Sequence, residues 1–116
     1  MVAMDHKILH DYLLSMPDAW LDYPFGEDVA VYKIGGSPES PEAGKMFALV
    51  SEAKDPLQIS LKCDPTLAKL LREKYETVME GYHLNKKHWI TVVLTGQLSQ
   101  EEIEAQVRHS YILAQG

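Results

Sequence analysis

The chain has 116 residues, 46% of them hydrophobic and 24% charged, with 17 acidic and 11 basic side chains for a net charge of −6. That balance excludes a disordered or disulfide-dependent chain and describes one globular domain over residues 1–116, large enough to bury about two thirds of its unfolded surface. Taken whole, the negative charge speaks against a polyanionic partner, since phosphate neutralisation supplies most non-specific affinity for nucleic acid.

The charge is uneven, however. Residues 1–53 carry three bases and nine acids, residues 54–88 seven bases and five acids, and residues 89–116 one base and three acids. Only the middle segment is positive, so only there is an acidic partner expected to dock. The single Cys63 has no partner for a disulfide, which suits a reducing cytoplasm. No apolar run approaches the roughly 20 residues of a membrane span, and the N-terminus lacks a basic region followed by an apolar core, so export and insertion are not expected.

Asp5 is placed to cap a first helix whose apolar face is Ile8, Leu9, Tyr12, Leu13 and Met16, ended by Pro17-Asp18. His6 and His10 stand four apart on it but lack a third ligand at helical spacing, so they read as solvated surface. Trp20-Leu21-Asp22-Tyr23-Pro24-Phe25-Gly26 is an extended aromatic run that covers an edge of the core, with the three rings at 20, 23 and 25 alternatively flooring a ligand cleft. Val29 to Ile34 and Lys45 to Val50 form a hairpin of two strands. The intervening residues 35–44, rich in Gly, Pro and Ser with Glu39 and Glu42, read as a mobile acidic loop.

Leu57 to Lys62 alternates strictly, with Leu57, Ile59 and Leu61 toward a core and Gln58, Ser60 and Lys62 toward water or a partner. Asp64-Pro65 then opens a second helix with Leu67, Leu70, Leu71 and Tyr75 on its buried stripe. Cys63 lies just before that helix, where a thiolate nucleophile with His83 or His88 as base is conceivable, although no nucleophile motif surrounds it. Thr77 to Glu80 and Trp89 to Leu94 are a fourth and a fifth strand. Ser99-Gln100-Glu101-Glu102 is a capping box, followed by a third helix with Ile103, Val107, Ser110, Tyr111 and Ala114 inward and Arg108 and His109 on the surface. The order helix, three strands, helix, two strands, helix predicts an α+β fold with a mainly antiparallel five-stranded sheet, its helices on one face and the other face partly open.

The densest group of polar side chains is Gly81-Tyr82-His83-Leu84-Asn85-Lys86-Lys87-His88-Trp89, a basic connection between the last two strands. Lys86 and Lys87 are suited to neutralise phosphate, Asn85, His83 and His88 to offer hydrogen bonds, and Tyr82 or Trp89 to pack on a base or sugar; two lysines give only weak binding unless Lys62, Lys69 and Arg72 lie on the same surface or the chain dimerises. Read more simply, Trp89 is core, the histidines satisfy backbone groups and the lysines keep the loop soluble.

Several motifs resemble the MmcQ/YjbR family over nearly the whole chain: Tyr23-Pro24-Phe25-Gly26, Val31-Tyr32-Lys33-Ile34-Gly35-Gly36, Lys45-Met46-Phe47-Ala48-Leu49-Val50, Leu61-Lys62-Cys63-Asp64-Pro65, the stretch 81–89 and His109-Ser110-Tyr111. The resemblance implies a two-layer sandwich, similar in shape to secretion chaperones and frataxin-like folds, and a double-wing DNA-binding role resting on fold analogy. The family usually passes from the Gly-Gly turn straight into the Lys-Met strand, whereas here the acidic insertion intervenes. The expectation is a non-enzymatic cytoplasmic DNA-binding protein without cofactor or metal. The alternative is a chaperone-like module whose open sheet face receives a peptide, a protein or a second copy of the chain.

Overall fold

The computed structural model describes residues 4–81 and 84–116. Along the chain lie α1 (His6–Leu14), β1 (Ala19–Asp22), β2 (Val29–Ile34), β3 (Lys45–Ser51), β4 (Gln58–Lys62), α2 (Pro65–Lys74), β5 (Val78–Glu80), β6 (Trp89–Val93) and α3 (Gln100–Gln115). The strands form one sheet in the order β1-β2-β3-β4-β6-β5, every neighbouring pair antiparallel.

The α+β, helix-on-sheet architecture is as expected, but the sheet has six strands rather than five. The additional strand is β1, paired from Ala19↔Ile34 to Asp22↔Val31. It lies at the sheet's edge with all four residues only half-buried, so no alternation of apolar and polar residues marks it in the sequence. Asp18, at φ 61°, takes the left-handed turn that feeds α1 into it.

All three helices cover one face. Ala30, Tyr32 and Ile34 of β2, Phe47 and Val50 of β3, Ile59 and Leu61 of β4, and Ile90 and Val92 of β6 pack in a single core with Leu9, Leu13, Ala68, Ile103 and Val107. The inward stripe expected for α3, including Ser110, is buried throughout. In α2 the buried residue is Ala68, whereas Leu70 faces solvent. The helix is turned slightly from the expected stripe because Leu67, Leu71 and Tyr75 reach the core only at its margin.

One irregularity fixes the sheet to α3. Between β2 and β3 the register passes from Tyr32↔Ala48 to Lys33↔Met46, leaving Phe47 as an extra residue. Continuing the β3–β4 ladder beyond Ala48↔Leu61 would place Lys62 opposite Phe47. Instead the Ser110 hydroxyl sits between them, donating to the Phe47 carbonyl at 2.5 Å and accepting from the Lys62 N–H at 2.8 Å. A buried serine thus replaces a ladder bond that the bulge removes.

The 35–44 insertion is folded rather than loose. Pro41–Ala43 forms a 3-10 turn, and the Ser40 N–H reaches the Ser37 carbonyl at 3.0 Å. Beneath it the buried Lys33 ammonium donates to Asp22 at 2.9 Å and to the Pro41 carbonyl at 3.4 Å. That lysine's hydrogen bond holds the Asp22 carboxyl below the usual carboxylate range. Gly36, at φ 62°, has no room for a Cβ, which would meet the Gly44 nitrogen at 2.6 Å. Glu39 and Glu42 remain exposed.

Candidate nucleic-acid interface and the open sheet face

The connection from β5 to β6 closes as a tight turn over residues 85–88. Asn85 directs it: its side-chain oxygen accepts from the Lys87 N–H at 2.9 Å, and its carbonyl accepts from the His88 N–H at 3.2 Å. The His88 carbonyl in turn accepts from the Cys63 N–H at 2.9 Å, so the turn is anchored to the end of β4. Asn85, Lys86, Lys87 and His88 are exposed. Among the described residues neither Lys86 nor Lys87 has an acidic partner. Tyr82 and His83, named above as contact residues, lie outside the described residues.

Trp89 follows the buried one of its two readings and not the base-stacking one. It is 7% exposed and packs with Val31 and Leu49 beneath Leu84 on the face away from the helices. Strand alternation dictates this: Ile90 and Val92 point into the core, so Trp89 and Thr91 point to the other side. Lys62 pairs directly across from Trp89, and its ammonium lies 5.8 Å from the ring centroid. The tryptophan therefore supports Lys62 and the turn. Lys69 and Arg72 belong to α2 in the helical layer and do not join Lys62 on this face.

Cys63 is buried, and desolvation, reinforced by the Asp64 charge, pushes its thiol up to about 11. Its backbone N–H meets the His88 carbonyl, and among the described residues no hydrogen bond joins the thiol to the His88 ring; His83, the other base considered, lies outside the described residues. His6, His10, His109 and Arg108 have partners of their own. His109 accepts from the Asp64 N–H at 3.2 Å, and Arg108 donates to the Tyr12 hydroxyl at 2.8 Å. On α1 the His6 and His10 rings stack at 5.9 Å; His10 bonds the Tyr32 hydroxyl at 2.8 Å, while His6 and the Tyr23 hydroxyl both meet Glu52. Burial pushes the Tyr32 phenol well above its ordinary range, so it stays protonated. Among the described residues no three His, Cys, Asp or Glu side chains are grouped to hold a metal.

The larger feature of the open face was not visible in the sequence. A cleft of about 720 Å³ runs over the sheet from Phe25, after β1, to Met79 on β5. Its apolar sides are Phe25, Val29 and Leu49 toward β2 and Met79 and Leu84 toward β5, and its floor is a polar stripe of Ser51, Gln58, Ser60 and Thr91. The register builds that stripe by pairing Ser51↔Gln58 and Ser60↔Thr91, and the Ser60 and Thr91 hydroxyls are 2.8 Å apart. Asp28, Glu80 and Lys54 stand at the cleft.

The YjbR family model matches residues 14–113. The chain belongs to the YjbR family. Among its relatives, the uncharacterized protein YbdF of Escherichia coli O157:H7 is 35% identical over 95% of this chain and 87% of its own. The uncharacterized protein YjbR of Escherichia coli K12 is 44% identical over 57% of this chain and 56% of its own. The crystal structure of Deinococcus radiodurans protein DR2400, a DUF419 domain, superposes with a TM-score of 0.85 at 35% identity, covering 92% of this chain and 75% of that one. A crystal structure of a Pseudomonas syringae protein gives a TM-score of 0.75 at 31% identity, covering 96% of this chain and 99% of that one. Both likenesses extend across the sheet and the helical layer, so the YjbR architecture spans nearly all of this chain.

Proposed function

We propose that this YjbR-family chain acts in the cytoplasm by binding rather than by catalysis, contacting nucleic-acid phosphate through the 85–88 turn together with Lys62. The observation that carries the reading is the exposure of Lys86 and Lys87 without an acidic partner on a turn braced by Asn85 and by the Cys63–His88 backbone bond. His88 and the remaining hydrogen-bonding capacity of Asn85 lie beside them. The acidic 35–44 insertion closes the β2–β3 hairpin at the same end of the sheet as this turn, so phosphate is favoured at one wing and repelled at the other. Contact with one strand of a duplex, or with a single strand, fits that polarity.

Two or three neutralised phosphates give a logarithmic salt slope of about −2 to −3 on duplex DNA, or roughly a ten- to fortyfold loss of affinity between 50 and 200 mM salt. The test titrates labelled duplex and single-stranded DNA at both concentrations, with wild type and with Lys86→Glu/Lys87→Glu. Loss of most of the binding in the double variant is expected, and unchanged affinity would remove the proposal. A protein partner or a second copy on the open face makes the opposite prediction, an affinity that survives added salt.

A further inference from the structure

We infer that the open-face cleft is a binding site for a small amphipathic molecule, uncharged or singly cationic, with a planar apolar body and hydrogen-bonding groups along one edge. This goes beyond the phosphate reading and involves different residues. The volume of about 720 Å³ lies within the range of small-molecule sites. The cleft is lined by large apolar side chains left in water, Phe25 at 62% and Met79 at 41% exposure, and an apolar body seated in it would remove apolar surface from water. Between them the Gln58 amide and the Ser51 hydroxyl line the floor without a hydrogen bond to another described side chain, so their donors and acceptors remain available to an occupant.

Charge decides the class further. Asp28 and Lys54 line the cleft, and Glu80, opposite the core-facing Ile90, lies at its β5 rim, in a molecule of net charge −6. The rim carboxylate and the negative charge of the whole molecule repel an anionic ligand and attract a cation. The cleft is therefore chemically unlike the Lys86–Lys87 turn, and the two sites select ligands of opposite sign.

Thioflavin T, a planar aromatic cation, is the probe, with 8-anilinonaphthalene-1-sulfonate as an anion of comparable apolarity. Fluorescence titration of the folded protein should give saturable binding of one thioflavin T per chain, with the anionic dye about tenfold weaker or worse. Phe25→Ala/Met79→Ala should weaken thioflavin T by at least about tenfold, the effect of losing contact with two large apolar side chains. Both residues are exposed, so the variant should keep the wild-type melting temperature and its DNA affinity. No saturable binding, equal binding by the double variant, or a preference for the anionic dye would overturn the assignment. So would a wild-type dimer that dissociates on Phe25→Ala/Met79→Ala substitution, which would make the cleft an interface between copies of the chain.

Discussion

Gly81 shows how single residues set the position of the basic turn. Its N–H donates to the Trp89 carbonyl at 3.0 Å, and a Cβ added there would come within 2.6 Å of the Trp89 Cβ. Glycine is required by the close approach of two segments of the backbone, not by an unusual backbone angle. Gly81→Ala should push Trp89 off Val31 and Leu49 and lower stability by about 1–3 kcal/mol, in the range of other overpacking substitutions. Urea unfolding checks this, with Lys86→Ala at the exposed tip as the comparison, expected within about 0.5 kcal/mol of wild type. An unchanged Gly81→Ala midpoint would mean that the turn is not seated on Trp89.

At the scale of elements, the junction of α2 and α3 concentrates several capping interactions. Ser99 accepts from the Glu102 N–H at 3.1 Å, Glu102 accepts from the Ser99 N–H at 2.9 Å, and the Tyr75 hydroxyl donates to Glu102 at 2.7 Å. Removing the cap by Ser99→Ala should cost about 1 kcal/mol at neutral pH, measured by thermal or denaturant unfolding. The backbone bond from Ser99 and then the Tyr75 bond hold the Glu102 carboxyl below its ordinary range. A carboxylate depressed on folding stabilises the protein above its unfolded pKa, about 4.3, and that stability is lost as pH falls through the lower folded value. The advantage of wild type over Glu102→Gln should therefore shrink on acidification below pH 5 in melts at pH 7, 4 and 3. This capping box, the Asp5 and Asp64 caps and the apolar stripe of α3 were legible because each is a local pattern in consecutive residues. β1 was not legible: four residues at an edge, all half-buried, carry neither alternation nor a turn signal of their own. Leu70 was assigned inward on spacing alone, and the tertiary contact of Ala68 decided the helix rotation instead.

Across the whole molecule, the features that matter most for binding depend on register between strands distant in sequence. The exposed Lys86 and Lys87 could be read from composition, but the burial of Trp89 follows from the alternation of β6 against a filled core, and the cleft from residues scattered between positions 25 and 91. Ser110 is the clearest case. Its place on the inner stripe was evident from periodicity, whereas its task, bridging the Phe47 carbonyl and the Lys62 N–H, exists only because of the bulge at Phe47, on a strand far from it in sequence. That bridge joins the helical layer to the strand that presents Lys62, and the Phe47 and Tyr111 rings meet edge-on at 5.5 Å beside it. Ser110→Ala would leave a buried carbonyl and N–H without their hydroxyl, at a cost of about 1–3 kcal/mol. Since α3 packs on the centre of the sheet, this loss should be felt by both layers at once. Helical circular dichroism and tryptophan fluorescence, reported by Trp20 on β1 and Trp89 on β6, should give coincident urea transitions in wild type, and both should move to lower urea together in Ser110→Ala with unchanged slope. A fluorescence transition that separates from the helical one would show that the sheet holds its shape without α3 and that Ser110 does not couple the two layers.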